Sequence, residues 1–165
     1  MRILGIDPGL EATGYGLIEA DAGSAHLIEA GLIRTQSRDS LARRLATVAE
    51  QLRTLLVQHR PNLMAVEDLY SHYERPKTAV LMGHVRGVIL AQAALKQIEV
   101  VSYLPTRVKK AVVGRGHAPK LQIARMVQMR LKLDPEQIPS DVSDALAVAL
   151  CHWQQMQSVH GRIRS

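Results

Sequence analysis

Asp7 closes the apolar run Ile3–Asp7, and Pro8-Gly9 follows it directly. In a strand Ile3, Gly5 and Asp7 share one face, and an acid at the end of an apolar strand projects into the crevice where α/β proteins place their sites. Glu67 closes a second apolar run, Asn62–Glu67. If the two runs are adjacent parallel strands, the two carboxylates meet side by side and repel unless a proton or a cation intervenes. Asp141 and Asp144 stand three residues apart at the start of a helical pattern, a spacing that points both side chains the same way. Each acid also has a plainer use: an Asp before Pro-Gly caps its own turn, a strand-end acid is solvated, and acids in a first helical turn favour the helix dipole. As a set, the four form an all-oxygen site that selects a hard cation, Mg²⁺ or Mn²⁺. The seven His residues are scattered without an H-x-x-x-H pair, and Cys151 is the sole cysteine, so a soft-metal site lacks ligands. Carboxylates holding two ions a few ångströms apart suit phosphodiester hydrolysis, in which the ions activate water and stabilise the leaving oxygen.

The charge distribution points to the same class of substrate. The 165 residues carry a formal charge of +6. Between Arg75 and Lys132 there are twelve Lys/Arg and one acid, Glu99, while both flanks are mildly acidic. A third of the chain is thus suited to meet a polyanion, although a solvated basic helix surface reads the same way. Arg107, Lys109, Lys110, Arg115, His117 and Lys120 cluster around the turn at Gly114-Arg115-Gly116 and are candidate phosphate contacts. Lys109 or Lys120 beside the metals would also stabilise charge developing on a scissile phosphate. Tyr70 and Tyr73 are candidates for stacking on unpaired bases, with packing as the alternative. Arg75 and Lys77, in the same segment, are further candidate DNA contacts.

The elements that must position these residues follow from periodicity. Ile3–Asp7, Thr13–Ala20 and Ala25–Thr35 read as three strands with short connections, an antiparallel meander. Leu41, Leu45, Val48, Leu52, Leu55 and Leu56 fall on one helical stripe that Pro61 ends. Asn62–Glu67 then reads as a buried strand reached by a helical crossover, parallel to the first. A helix over Thr78–Gln97 with Pro76 at its start, a strand over Glu99–Tyr103, and helical pieces at Arg107–Val113 and Lys120–Leu133 follow. A last helix runs from Pro139-Ser140 to about Gln157, with Cys151 and Trp153 expected in or near its core. The order βββαβαβαα predicts an α/β fold: a mixed five-stranded sheet, three strands antiparallel and then parallel ones, with helices on both faces. Asp68, after Glu67, is expected on the opposite face and exposed. No repeat or linker divides the chain, so one domain over residues 1–165 is expected. No run approaches the ~18 continuous apolar residues of a membrane span, and the N-terminus opens as a strand without a signal-peptide layout. With one cysteine, that predicts a reducing, cytoplasmic setting and no membrane partner.

The residues also carry a family resemblance. Gly5-Ile6-Asp7-Pro8-Gly9 with Thr13-Gly14-Tyr15-Gly16, Ala65-Val66-Glu67, Val108–Gly114, and Asp141-x-x-Asp144-Ala145-Leu146-Ala147 resemble, in order over essentially the whole chain, the RuvC family of bacterial crossover-junction endodeoxyribonucleases. The resemblance implies a ribonuclease-H-like fold and a homodimer that nicks two strands of a four-way (Holliday) junction symmetrically, leaving ligatable ends. It implies that the metal-holding acids are Asp7, Glu67, Asp141 and Asp144, and that Tyr70 takes the place of an aromatic at the junction centre. It matches Lys109 and Lys120 to two lysines near the scissile strand, and it implies a sequence preference at the cut and work beside the RuvA and RuvB branch-migration motor. Three other functions fit part of the pattern: a related nuclease acting on RNA–DNA hybrids or structured RNA, an actin-like or sugar-kinase ATPase, and a non-catalytic junction binder. Against the ATPase, 165 residues hold one such domain where its cleft needs two. Against the binder, all four acids are present. The apolar face of Val80, Leu81, Val85, Val88, Ile89, Ala91, Ala94 and Leu95 is wider than one packing stripe, which suits either burial or a two-fold interface.

Overall fold

The computed structural model describes residues 1–69, 76–134 and 138–163. Three strands, β1 (Arg2–Asp7), β2 (Ala12–Ala20) and β3 (Ala25–Arg34), form the expected antiparallel meander. Helix α1 (Leu41–His59) leads to β4 (Leu63–Glu67), and α2 (Pro76–Leu95) to β5 (Glu99–Tyr103). Three helices complete the chain: α3 (Pro105–Val113), α4 (Lys120–Leu131) and α5 (Ser140–Ile163). The sheet order is β3-β2-β1-β4-β5, with β4 parallel to both β1 and β5. This is the mixed sheet that the periodicity predicts. The helical pieces expected at Arg107–Val113 and Lys120–Leu133, which the order βββαβαβαα counts as one, are two separate helices. Gly114 ends α3 with φ 78, its amide donating to the Lys110 carbonyl, and α4 starts afresh after Pro119.

The period-two alternation of the strands divides the interior in two. Ile3, Ile18, Leu63, Ala65 and Tyr103 face α3, α4 and α5. Leu4, Ile6, Leu17, Ile33, Met64 and Val66 face α1 and α2. Helix α5 is buried over every residue from Ala145 to Cys151, because it lies between the sheet and the layer formed by α3 and α4. Cys151 is therefore a core residue as expected, and Trp153 is half-buried with its indole N–H on the Asp21 carbonyl.

Two glycines let α5 come that close. A Cβ on Gly5 would collide with the Ala145 carbonyl and meet the Ala149 amide at 2.8 Å. One on Gly14 would collide with the Asp141 carbonyl. Glycine at these two sites thus sets the height of the helix that carries two of the acids above the strand that carries the first.

Helix α2 is long and apolar enough to cross a membrane by length and composition, although only 17% of Lys77–Leu95 is buried. Val85, Ile89 and Ala93 pack on the sheet. The opposite stripe, Val80, Gly83, Gly87, Ala91, Ala94 and Leu95, is exposed.

Candidate active site

Asp7 and Glu67 sit at neighbouring strand ends because β1 and β4 are parallel and in register, with Ile6 paired to Val66 immediately before them. Both belong to the face covered by α5, since Ile3, Gly5 and Asp7 alternate outward together, as do Leu63, Ala65 and Glu67. Asp7 is also paired with Gly14 on β2, directly beneath the Asp141 backbone. The turn after Asp7 is tied down: the buried Thr13 hydroxyl donates to the Gly9 carbonyl at 2.7 Å and accepts from the Gly9 amide at 3.3 Å. Asp141 and Asp144, one turn of α5 apart, hang over the strand ends. Carboxylate oxygens of Asp7, Asp141 and Asp144 all lie within 4.8 Å of one another. Glu67 joins Asp7 and Asp144 in lining a cleft of about 140 Å³ with Pro105, Val108, Lys109, Lys120, Ile123 and Ala147.

This crowding has an electrostatic cost. Burial first, then the charges of Glu67, Asp144 and Asp141, push Asp7 up to about 8. Burial, then Asp144, pushes Glu67 up to about 7, against the lowering pull of Lys120 and Lys109. Lys120, at the start of α4, reaches Asp144 Oδ2 at 2.9 Å, and that hydrogen bond holds its ammonium protonated above the ordinary range. One flexible lysine, 69% exposed, leaves most of the negative charge uncompensated. Hard oxygen donors this close, two of them poorly ionised near neutral pH, are what a divalent cation would relieve, so the residues fit such an ion.

The model for the family described as crossover junction endodeoxyribonuclease RuvC matches residues 3–152. This chain belongs to the RuvC family. It is similar, at 48% identity over 90% of this chain and 84% of the relative, to a crossover junction endodeoxyribonuclease RuvC of Rhodopirellula baltica. A Moorella thermoacetica protein of the same description is 46% identical, covering 98% of this chain and all of that one. Among solved structures, Thermus thermophilus RuvC in complex with a Holliday junction substrate superposes with a TM-score of 0.90 at 31% identity, covering 96% of each chain. A yeast mitochondrial Holliday junction resolvase shares the fold with a TM-score of 0.71 at 13% identity.

The other residues singled out in this RuvC-family sequence fall in different places. Lys109 and Lys120 line the acidic cleft. Lys110, Arg115 and His117 are exposed around the turn between α3 and α4, outside the cleft lining, and Lys77 is exposed on the first turn of α2. Arg107 is exposed too, and its guanidinium donates to Gln155 Oε1 at 2.8 Å and lies 5.7 Å from the centre of the Tyr103 ring. Tyr70, Tyr73 and Arg75 lie outside the described residues. Asp68 does point to the opposite face, toward α2, but it is not a free surface acid. Its Oδ1 is 3.2 Å from Arg86, which also donates to Ser102 Oγ at 2.5 Å, and its amide donates to the Tyr103 carbonyl. Arg86 thereby clamps the ends of β4 and β5 from the side opposite the acids and compensates the charge next to Glu67. Sequence reasoning missed Arg86 because nothing local marks a helical arginine that faces inward. It missed the close approach at Gly5 and Gly14 for want of a partner, although Thr13-Gly14-Tyr15-Gly16 carried the signal.

Proposed function

We propose that this chain resolves four-way DNA junctions by paired, symmetric, metal-dependent nicks, and that it acts in recombination and repair. The observation that carries the reading is the gathering of Asp7, Asp141 and Asp144 oxygens within 4.8 Å at the sheet end, with Glu67 in the same cleft, in a chain of the RuvC family. The complex of the Thermus thermophilus relative with a Holliday junction supports the choice of substrate.

Asp7, Asp141 and Asp144 would hold one divalent ion, and Glu67 with Asp7 or Asp144 a second, Mg²⁺ with Mn²⁺ as a substitute. Bound ions supply an activated water and charge neutralisation at the scissile phosphate. The chain does the rest. Gly5 and Gly14 fix α5 at the height where its two acids meet Asp7. Val108, Ile123 and Ala147 wall the cleft with apolar surface. Lys109 and Lys120 draw the phosphodiester in and stabilise charge on its oxygens. Lys110, Arg115 and His117 hold the flanking backbone.

Two cuts at symmetric positions need two sites related by a two-fold axis, and the exposed stripe of α2 supports a homodimer. Val80 is 60% and Leu95 74% exposed, and a Cβ at Gly83 or Gly87 would meet nothing within 4 Å. A glycine in an exposed helix costs about 1 kcal/mol relative to alanine, and a second helix packed closely on that stripe would offset the cost. By family analogy the dimer works with the RuvA and RuvB motor in the cytoplasm.

The test is strand cleavage, with and without Mg²⁺, on a synthetic four-way junction, a linear duplex and an RNA–DNA hybrid. Paired nicks at symmetric positions on the junction alone are expected. Cutting of the hybrid instead, or junction binding without cutting in either Mg²⁺ or Mn²⁺, would overturn the reading.

A further inference from the structure

Lys109 and Lys120 line one flank of the acidic cleft, and Lys110, Arg115 and His117 are exposed around the adjoining turn between α3 and α4. The other flank is formed by β2, β3 and the connection into α1, a region whose overall sequence charge is mildly acidic. The fold nevertheless concentrates bases there. Arg34 ends β3, paired with Ala12 at the start of β2. Arg38 follows in the connection, and Arg43 lies in the first turn of α1, which contains no acid. All three are exposed, and among the described residues none of their guanidinium groups takes part in an ion pair. The nearest acids in sequence are Asp39 and, across the sheet end, Glu11.

This surface is rigidly attached to the site. Arg44 donates from Nε to Thr35 Oγ1 at 2.9 Å and from a terminal nitrogen to the Leu10 carbonyl at 3.1 Å. The Thr35 amide donates to the Glu11 carbonyl at 3.0 Å. The β3–α1 connection is therefore fastened to the turn that begins immediately after Asp7. Asp7 is opposite Gly14, and Gly14 is opposite Leu32, so β3 lies two strand spacings from Asp7, about 10 Å. Arg34 is two residues further toward the same end of the sheet.

That offset matches the geometry of duplex DNA, whose two backbones face each other across grooves about 6–12 Å wide. With one strand held in the cleft by Lys109 and Lys120, the phosphates of its complement reach the opposite flank. Resting on the junction-resolving reading above, we infer that Arg34, Arg38 and Arg43 form a second phosphate-binding patch, which holds the uncut strand of the duplex arm whose partner strand enters the cleft. Its contacts are to backbone, so it confers grip and orientation of the arm without sequence preference.

The experiment compares wild type with R34Q/R38Q/R43Q and with a charge-matched control, R53Q/R60N/K96Q, whose three exposed bases lie along or beyond α1 toward the far end of the sheet. Binding to a four-way junction is measured in EDTA across a salt series, so that cutting does not compete. The patch variant is expected to bind about tenfold or more weakly at moderate salt, with a log–log salt slope shallower by about 2–3, one for each lost phosphate contact. The control is expected to match wild type. A second measurement places neutral methylphosphonates in the uncut strand opposite the nick site. These should weaken wild type and leave the patch variant unchanged. Equal binding by the patch variant and wild type, equal losses in patch variant and control, or methylphosphonate losses that persist in the patch variant would each overturn the inference. If wild type shows no preference for the junction, the resolvase reading fails, and the same comparison on a linear duplex still decides the patch, because phosphate contact needs no branch.

Discussion

Asp7 is the residue on which the site turns. Burial and the charges of Glu67, Asp144 and Asp141 raise it to about 8, with Glu67 raised to about 7. A carboxyl whose pKa is higher folded than unfolded binds its proton more tightly in the native state, so stability falls as pH rises from the unfolded value to the folded one. For Asp7 that window runs from 3.8 to about 8, and for Glu67 from 4.5 to about 7. In EDTA the wild-type melting temperature should therefore drop between about pH 5 and pH 8, and Asp7→Asn should remove most of the drop. At pH 8 the variant is expected to melt roughly 5 °C higher, the shift that about 2 kcal/mol produces in a domain of this size. Scanning calorimetry checks this, and a flat wild-type profile would mean that the carboxyls are solvated and independent. Divalent ions bind deprotonated carboxylates, so the Mg²⁺ concentration for half-maximal cutting should fall as pH rises from about 6.5 to about 8. The same Asp7→Asn substitution should reduce cutting by about a thousandfold or more while leaving junction affinity in EDTA within a few-fold, since in the proposed site it removes an ion ligand and no phosphate contact. Lost binding alongside lost cutting would make Asp7 a structural acid.

At the scale of elements, function depends on the seating of α5 on β1 and β2. Gly14→Ala introduces a methyl group into the Asp141 carbonyl, a clash with backbone that only a shift of the helix relieves. Overpacking of this kind costs about 1–3 kcal/mol. Cutting should fall by more than the loss of folded protein explains, because the shift moves Asp141 and Asp144 relative to Asp7. Urea unfolding and nuclease assays on the same preparation separate the two effects. Helix α2 has a double role, packing Val85, Ile89 and Ala93 on the sheet and clamping Asp68 and Ser102 through Arg86, while its other stripe is exposed. Val80→Asp on that stripe should convert the proposed dimer to monomer in light scattering while leaving the circular dichroism spectrum unchanged. A monomeric wild type would assign the stripe to another partner.

At the cleft the charges are layered: four acids gather at the strand ends, Lys109 and Lys120 line the wall above them, and Lys110, Arg115 and His117 are exposed on the turn beside it. A polyanion approaching that end of the sheet meets the bases first, and its binding should weaken steeply with salt. Removing Lys110 and Arg115 together, as K110A/R115A, should flatten the log–log salt slope of junction binding by about 2, with the melting temperature unchanged. Fluorescence anisotropy over a salt series measures the slope. An unchanged slope would make those residues a solubilising surface. Lys109→Ala differs because that side chain lines the cleft: its loss should slow cutting even at saturating protein as well as weaken binding.

Local sequence determined much of this protein. Alternation and turn residues specify the meander, the spacing of Leu41 to Leu56 specifies α1, and the crossover through α1 makes β4 parallel to β1, which brings Asp7 and Glu67 to one sheet end. These features are legible because each depends on hydrophobic period or on the handedness and length of one connection. Four motifs in order along the chain, from Gly5 to Ala147, further carried the family. Tertiary structure alone decided the rest. The height of α5 follows from what two glycines meet across the sheet. Arg86 finds Asp68 and Ser102 at separations of 18 and 16 residues, and the exposed Arg107 lies against Tyr103 and Gln155. The pairing of β3 with β2 also brings Arg34, diluted in a mildly acidic stretch, to the sheet end that carries Asp7, which is the placement behind the proposed second phosphate patch. Such contacts join residues that no local period relates, and their energies exist only when the chain has brought the partners together.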